Sequence, residues 1–283
     1  MISTRRQAEA FLGHLLEAEP TLTTLIGEDV LIEQETADQP LKPGIRIRRG
    51  KPDFQRPLGD VLTGGLGNDA LTGGAGADLL RLDGGDDVVE GGDGVDTLFY
   101  TGTASLVVNL SLTGAQATGT GTDILRGIEN VTGDAGADRL TGSALANVLS
   151  GGGGADTLNG GAGADSLLGG TGRDVMSGGA DRDRDVFVFN SIADSAVGSQ
   201  RDVVQSFLSG IDDIDLRGID ANGGMAGDQS FAFAGSTAAA HAVWVTAAGA
   251  DLILSGDVTG DARADFQIGL TGVAALIAAD LLL

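Results

Sequence analysis

The sequence predicts an all-β chain. It reads as a solenoid of short parallel strands, capped by a C-terminal sandwich-like domain and preceded by a short helical N-terminal segment. Three observations carry this. A nine-residue pattern, Gly-Gly-x-Gly-x-Asp-x-apolar-x, recurs in phase through the middle of the chain. The acidic charge is almost entirely aspartate and sits on the same pattern. Beyond residue 185 the nine-residue period gives way to short alternating strands at regular spacing.

The repeats fall into two blocks. Four copies begin at Gly64, Gly73, Leu82 and Gly91, and a second array begins at Gly133, Gly142, Gly151, Gly160 and Gly169 before degenerating after Gly178. In each copy the glycines permit a tight turn that few other sequences could make. The residues after the aspartate form a very short strand whose central side chain points inward. Those inward positions read Leu71, Leu80, Val89, Leu98, Leu140, Leu149, Leu158, Leu167 and Met176. Stacked turn on turn, they form an apolar spine that no single repeat could bury alone. A flexible glycine-rich linker would not keep apolar residues and aspartates in phase.

The sixth position reads Asp69, Asp78, Asp87, Asp96, Asp138, Asn147, Asp156, Asp165 and Asp174. Carboxylates stacked at β spacing, about 4.8 Å, repel one another. A hard cation between them converts repulsion into attraction, and the carbonyls of glycine-rich turns supply further oxygen ligands. The candidate turn positions are Gly65, Gly67, Gly74, Gly76, Gly85, Gly92, Gly94, Gly136, Gly152, Gly154, Gly161, Gly163, Gly170 and Gly172. The copy at 82–90 lacks its opening glycines but keeps Gly85, Asp87 and Val89 in register. The copy at 142–150 carries Leu145 for a glycine and Asn147 for the aspartate, which predicts a turn that stacks but holds an ion poorly. Near 178–188 two extra residues leave Asp183 or Asp185 as the acidic ligand.

Charge tells the same story. The chain has a net charge of −23. Residues 1–58 are nearly neutral, with 8 basic and 9 acidic side chains, whereas residues 59–283 hold 9 basic and 31 acidic, a net of −22. Of those 31, only Glu90 and Glu129 are glutamates. General solubility would not choose between the two acids so sharply, but short-armed turn ligands would. A surface of this sign argues against nucleic acid as a partner. Absence of cysteine removes thiol chemistry and agrees with export without disulfides.

These residues resemble the RTX, or hemolysin-type calcium-binding, β-roll. The resemblance implies calcium as the cation, several ions per chain, and an ion between repeats i and i+2. It would couple Asp69 with Asp87, Asp78 with Asp96, Asp138 with Asp156, and Asp156 with Asp174. Asp165 would face Asn147 on one side and the degenerate last repeat on the other. There Asp185, followed by Phe187, fits the family better than Asp183.

Residues 100–132 interrupt the period. SLVVNL (105–110) reads as a strand, GAQATGTGTD (114–123) as a turn-rich loop, and DILRGIENVTG (123–133) as a return strand. The insert reads as a spacer that continues the solenoid with wider turns, with a lateral binding surface as the alternative. Past residue 185, stretches at 185–191, 201–207, 212–216, 229–235, 241–247, 250–256 and 264–270 predict an antiparallel sandwich over the open end of the solenoid. FVFNSIADS, RDVVQSFLSGIDDIDLRGIDAN, DQSFAFAG and SGDVTGDARADFQIGL resemble the C-terminal domain of the serralysin metalloproteases. Array and C-terminal domain divide at about residue 186, giving units at 1–58, 59–186 and 187–283. The ending Asp280-Leu281-Leu282-Leu283 is similar to an uncleaved signal read by a type I exporter. DVTGDARAD (257–265) departs from a calcium loop at Thr259 and Ala262, and reads as an acidic turn.

A protease of that family needs HExxH and a third histidine for zinc. The chain has two histidines, His14 and His241, far apart and without those neighbours, and no G-x-S-x-G elbow. The first 20 residues contain no uninterrupted apolar core for a Sec signal, and no stretch is long enough to span a bilayer. AEAFLGHLLEAE reads as an amphipathic helix and DVLIEQE as a strand or second helix. The basic, proline-rich segment 40–57 reads as an extended linker, with contact to an anionic partner through Arg46, Arg48, Arg49, Lys51 and Arg56 as the alternative.

The sequence therefore predicts a secreted, calcium-binding, non-catalytic β-roll. Two alternatives stand beside it. One is the C-terminal part of a serralysin-like protease or other secreted hydrolase; the other is a calcium-dependent adhesin or surface-layer component with a cell-surface partner.

Overall fold

A computed structural model describes residues 59–283, together with the backbone of two strands, β1 (Val30–Glu33) and β2 (Arg46–Arg49). These two pair antiparallel, with Val30 opposite Arg49. The predicted helix near residues 6–19, with His14, lies outside the described residues.

From residue 61 the chain climbs a roll. The first repeats give β3 (Val61–Thr63), β4 (Ala70–Ala75), β5 (Leu79–Arg81), β6 (Val88–Asp93) and β7 (Thr97–Phe99). The insert gives β8 (Val107–Asn109), β9 (Gln116–Ala117) and β10 (Thr122–Arg126). The second block gives β11 (Asn130–Thr132), β12 (Arg139–Thr141), β13 (Val148–Gly154), β14 (Thr157–Gly161), β15 (Ser166–Gly172) and β16 (Val175–Gly179). The last part gives β17 (Val186–Val188), β18 (Asp202–Gln205), β19 (Asp213–Asp215), β20 (Ala232–Phe233), β21 (Ala242–Ala248), β22 (Asp251–Gly256), β23 (Phe266–Leu270) and β24 (Leu281–Leu282). Among the described residues there is no α-helix.

Alternate strands belong to opposite faces. One face is a single sheet in the order β3-β5-β7-β11-β13-β15-β17-β19-β24. Its pairings are parallel and align Leu62, Leu80, Leu98, Val131, Leu149, Leu167, Phe187, Ile214 and Leu281. The other face is in two pieces, β4-β6-β10-β9 and β8-β12-β14-β16-β18-β23-β22-β21-β20. It aligns Leu71, Val89 and Leu125 in the first piece, then Val108, Leu140, Leu158, Met176, Val204 and Leu270 in the second. Every spine residue named from the sequence is buried, Leu80, Leu98, Leu140, Leu149, Leu167 and Met176 completely. Parallel sheets covered on their inner face by each other's side chains are the stable form of this pattern.

The insert explains the broken face. After β7 the chain runs ahead to β8, doubles back through β9, and places β10 beside β6 before resuming at β11. The gap between β9 and β8 is bridged by the Val107 N–H donating to the Thr118 carbonyl at 2.8 Å. The Gln116 amide also bonds the Asn109 N–H (2.8 Å) and carbonyl (3.0 Å) in place of a backbone ladder. The expected loop at 114–123 thus contains a strand, β9, whose two residues are too few to show a period.

The C-terminal part differs from the expected antiparallel sandwich. β17, β19 and β24 extend the first face, and β18 and β23 extend the second, all in parallel. Only β21-β22-β23 runs antiparallel. The reason is the inward register: Val204 and Ile214 sit on the same spine as Met176 and Phe187, so continued stacking buries them as well as a separate sheet would. β17 spans residue 186, so the sheets run through the expected boundary between array and C-terminal domain.

Candidate metal centre

The turns between the two faces end on an acidic residue, or at position 147 on an asparagine, and these side chains stack. The Asp69 N–H donates to Asp87 Oδ1 at 2.8 Å, Asp78 to Asp96 at 2.8 Å, Asp138 to Asp156 at 2.7 Å and Asp156 to Asp174 at 2.8 Å. Asn147 donates to Asp165 at 2.7 Å and Asp165 to Asp185 at 3.0 Å. One oxygen of each carboxylate is therefore fixed by the backbone of the turn below. Five of these pairs are eighteen residues apart, and Asp165 and Asp185 are twenty apart because of the two extra residues before Asp185.

The other oxygen is the informative one. Oδ2 of Asp69, Asp78, Asp87, Asp96, Asp156, Asp165 and Asp174 is buried without a hydrogen-bond partner. A buried, unpaired carboxylate oxygen is expensive in free energy. Burial is the first cause of the shifts in Asp69, Asp87, Asp96, Asp138, Asp156, Asp165, Asp174 and Asp185, with neighbouring carboxylates adding to it. Asp87, Asp174 and Asp185 are pushed up to about 6, and Asp156 and Asp165 to about 7. Asp69, Asp96 and Asp138 are raised in the same direction.

The glycines keep this space open. A Cβ on Gly151 would collide with Asp156 Oδ2, and one on Gly73 with Asp78 Oδ2. Of the turn positions named from the sequence, all but Gly136 have positive φ, Gly76 at 123° for example. At Gly136 the turn is held instead by Asp134, whose Oδ1 accepts the Gly136 N–H at 2.7 Å. Among the described residues no three acidic or imidazole side chains converge on one point. A cation here would draw on one or two carboxylates and on backbone carbonyls, the oxygen-only ligand set of a hard ion. The unpartnered oxygens and the open turns fit such an ion.

A model of the serralysin C-terminal region of the M10 peptidases matches residues 27–283. The chain belongs to this family. Among solved structures, it is similar to two subunits of a mannuronan C5-epimerase from Azotobacter vinelandii, AlgE6R3 and AlgE6R2, each at 29% identity. The first alignment covers 62% of this chain and 85% of that one, with a TM-score of 0.40. The second covers 50% and 90%, with a TM-score of 0.32. The extracellular lipase LipA of Serratia marcescens aligns at 17% identity over 81% of this chain and 40% of its own, with a TM-score of 0.24. No curated protein matched the sequence.

In this serralysin C-terminal domain the acidic ladder is longer than the repeats. Asp123 accepts the Asp87 N–H at 2.8 Å, Glu129 the Asp96 N–H at 2.8 Å, Asp202 the Asp174 N–H at 2.8 Å and Asp212 the Asp185 N–H at 3.1 Å. Reading by the eighteen-residue offset misses all four, because their offsets are 36, 33, 28 and 27 residues. A signal was present: each is an acid followed two residues later by an inward apolar side chain, Leu125, Val131, Val204 or Ile214.

Several rungs close on themselves. Asp123 Oδ2 accepts the Thr118 hydroxyl, Asp138 Oδ2 the Asp134 N–H at 3.1 Å, and Asp212 Oδ2 the Leu208 N–H at 2.7 Å. Asn147 stacks fully buried; its Oδ1 takes the Ser143 N–H at 2.7 Å and its Nδ2 donates to the Glu129 carbonyl at 2.6 Å. Asp183 is exposed on the turn before Asp185, its N–H bonded to Asp181, and stands outside the ladder.

The remaining sequence candidates lie elsewhere. His241 sits before β21 with Nδ1 2.9 Å from the Ala221 carbonyl. In the 257–265 turn, Asp257 accepts the Gly260 N–H (2.7 Å), the Thr259 hydroxyl and the Ala262 N–H, while Asp265 takes the Val258 and Thr259 N–H groups. Those bonds hold the Asp257 carboxyl below its usual range and consume its oxygens. This turn is closed, as an acidic turn should be.

Proposed function

We propose that this chain is a secreted, non-catalytic calcium-binding roll whose folding is coupled to ion binding after export by a type I system. The observation that carries the reading is the set of buried aspartate oxygens without partners at the turns. At neutral pH the ion-free roll would hold stacked, desolvated carboxylates, so the unfolded chain is favoured where calcium is scarce. Outside the cell, calcium near the millimolar level exceeds the roughly 10⁻⁴–10⁻³ M dissociation constants of extracellular modules. At ten times Kd each ion adds about 1.4 kcal/mol, and ions that join neighbouring turns fold the array cooperatively.

Supporting the export step is the tetrapeptide Asp280-Leu281-Leu282-Leu283. In the folded chain Asp280 is buried, bonded to the Ser209 hydroxyl and the Gly210 N–H at 2.7 Å each, and Leu281 pairs with Ile214. An exporter would therefore read this segment before the roll closes. Among the described residues no helix is long and apolar enough to cross a membrane.

A calcium titration followed by circular dichroism, with magnesium as control, tests the coupling. β signal should rise cooperatively with calcium and much less with magnesium; a full signal in chelator overturns the reading. Removing Asp280 to Leu283 should retain the protein in the cytosol, and unchanged export removes the signal assignment. A second reading, the C-terminal part of a longer secreted hydrolase, rests on the matched model describing a peptidase's C-terminal region. An in-frame HExxH upstream of Met1 would establish it.

A further inference from the structure

Both rows of stacked turns are interrupted at the same level of the roll. In one row the Asp69 N–H donates to Asp87 and the Asp87 N–H to Asp123, at 2.8 Å each. That row resumes at Leu106, whose N–H donates to Asp138 Oδ1 at 2.9 Å, so an apolar residue holds the rung beneath Asp138. In the other row Asp78 bonds to Asp96 and Asp96 to Glu129 at 2.8 Å each, and Asn147 bonds to Asp165 at 2.7 Å. Between Glu129 and Asn147 the link changes character: the Asn147 side-chain amide donates to the Glu129 carbonyl at 2.6 Å.

The unpartnered oxygens follow that division. Among the described residues, buried carboxylate oxygens without a hydrogen-bond partner occur at Asp69, Asp78, Asp87 and Asp96, and then again from Asp156 onward. None of the four acids between them, Asp123, Glu129, Asp134 and Asp138, carries one. The second oxygen of Asp123 accepts the Thr118 hydroxyl, and that of Asp138 the Asp134 N–H at 3.1 Å. Asn147 is buried and neutral, and its Oδ1 accepts the Ser143 N–H at 2.7 Å. Its Nδ2 engages a main-chain carbonyl, the kind of oxygen that a hard cation would otherwise use.

We propose that this break divides calcium loading into two units, Asp69 to Asp96 on one side and Asp156 to Asp185 on the other, each cooperative within itself and independent of the other. The proposal rests on the calcium-binding reading above and adds where its cooperativity stops. In a stack of turns, stability is a sum of terms for each turn and for contacts between neighbours. An ion shared by two turns enlarges the neighbour term. Across the break that term comes from hydrogen bonds and from apolar stacking, Leu98 on Val131 and Val131 on Leu149, neither of which needs an ion. One unit can therefore fold while the other is still ion-free, which suits a chain whose two ends leave an exporter at different times.

Hydrogen exchange read by mass spectrometry on the full chain, across a calcium titration, tests the division. Peptides from residues 70–99 and 148–179 report the two units separately. Asp87→Asn should raise the calcium midpoint for protection of the first unit by at least ~10-fold and leave that of the second at its parental value. Asp165→Asn should do the reverse. Asparagine keeps the Oδ1 acceptor for the Asp69 and Asn147 N–H groups, so stacking is retained while the charge is removed. A shift of both midpoints together, in either variant, overturns the proposal. Where the substituted unit stays unprotected at every calcium concentration, the other unit still decides: a parental midpoint supports independence, and its shift or loss overturns it. A parent whose protection does not respond to calcium overturns the broader reading instead.

Discussion

The two repeat blocks and the insert between them share one spine and one acidic ladder, yet they satisfy that ladder by opposite means. In the blocks, the second oxygens of Asp69, Asp78, Asp87, Asp96, Asp156, Asp165 and Asp174 are buried and unpartnered. Around the insert, Thr118 serves Asp123, Asp134 serves Asp138, and Asn147 supplies its own amide to the Glu129 carbonyl. Backbone stacking is indifferent to this choice at Asp123 and Asp138, which accept the N–H of the turn below just as Asp87, Asp96, Asp156, Asp165 and Asp174 do. What differs is dependence on a cation. The insert and the first two turns of the second block form a girdle that closes with protein donors, set between two regions that need added positive charge.

The largest expected effect comes from striking the ion-dependent side. Asp156→Ala removes an unpartnered oxygen and the acceptor of the Asp138 N–H, and should raise the calcium midpoint for folding by at least ~10-fold, the effect of losing even an outer-shell partner at a metal site. Asn147→Ala should move that midpoint much less. Equal shifts in dichroism-monitored titrations would erase the distinction between the two kinds of rung.

Acid should partly replace the ion. Folded-state values for Asp87, Asp156, Asp165, Asp174 and Asp185 are raised to about 6 or 7 from an ordinary 3.8, and Asp202 to about 8. Burial is the first cause in each case. Between these limits the folded chain holds protons that the unfolded chain has released, so ion-free stability falls as pH rises from about 4 to about 8. In chelator, β signal should grow as pH is lowered through that window; a signal that falls instead contradicts the ladder's desolvation. Calcium should flatten the profile and release protons on binding, readable in weak buffer.

A smaller effect is expected in the girdle. Thr118→Val strands Asp123 Oδ2 and should lower stability in saturating calcium by about 1–3 kcal/mol, with the calcium midpoint changed less than by Asp156→Ala. Chemical denaturation at fixed calcium measures the first and titration the second. Smallest of all, Asn147→Asp converts a self-satisfied rung into an ion-dependent one. It should add at most one bound ion and weaken the ion-free state slightly; a count that falls would show that Asn147 supports neighbouring sites.

Much of this was legible in sequence because a period of nine, doubled by the parallel register, is a local property. The buried spine and the stacked aspartates at offsets of eighteen follow from it, whereas the preference for Asp185 over Asp183 came from the family resemblance, since two extra residues break the period there. Where the chain between neighbouring strands is longer, the offset is no longer eighteen. Asp123, Glu129, Asp202 and Asp212 therefore escaped a reading by period, although the acid-x-apolar triplet marked each. The same loss of phase made the C-terminal strands look like a separate antiparallel sandwich.

The sequence by itself determined the solenoid, its inward residues and the aspartate-rich turns, since glycine conformational freedom and the hydrophobic demand for stacking leave little alternative. Tertiary structure decided which carboxylate oxygens find a protein donor and which do not. That depends on where a distant threonine, main-chain amide or asparagine comes to rest against the ladder, and no local pattern encodes a partner whose distance along the chain is set by folding.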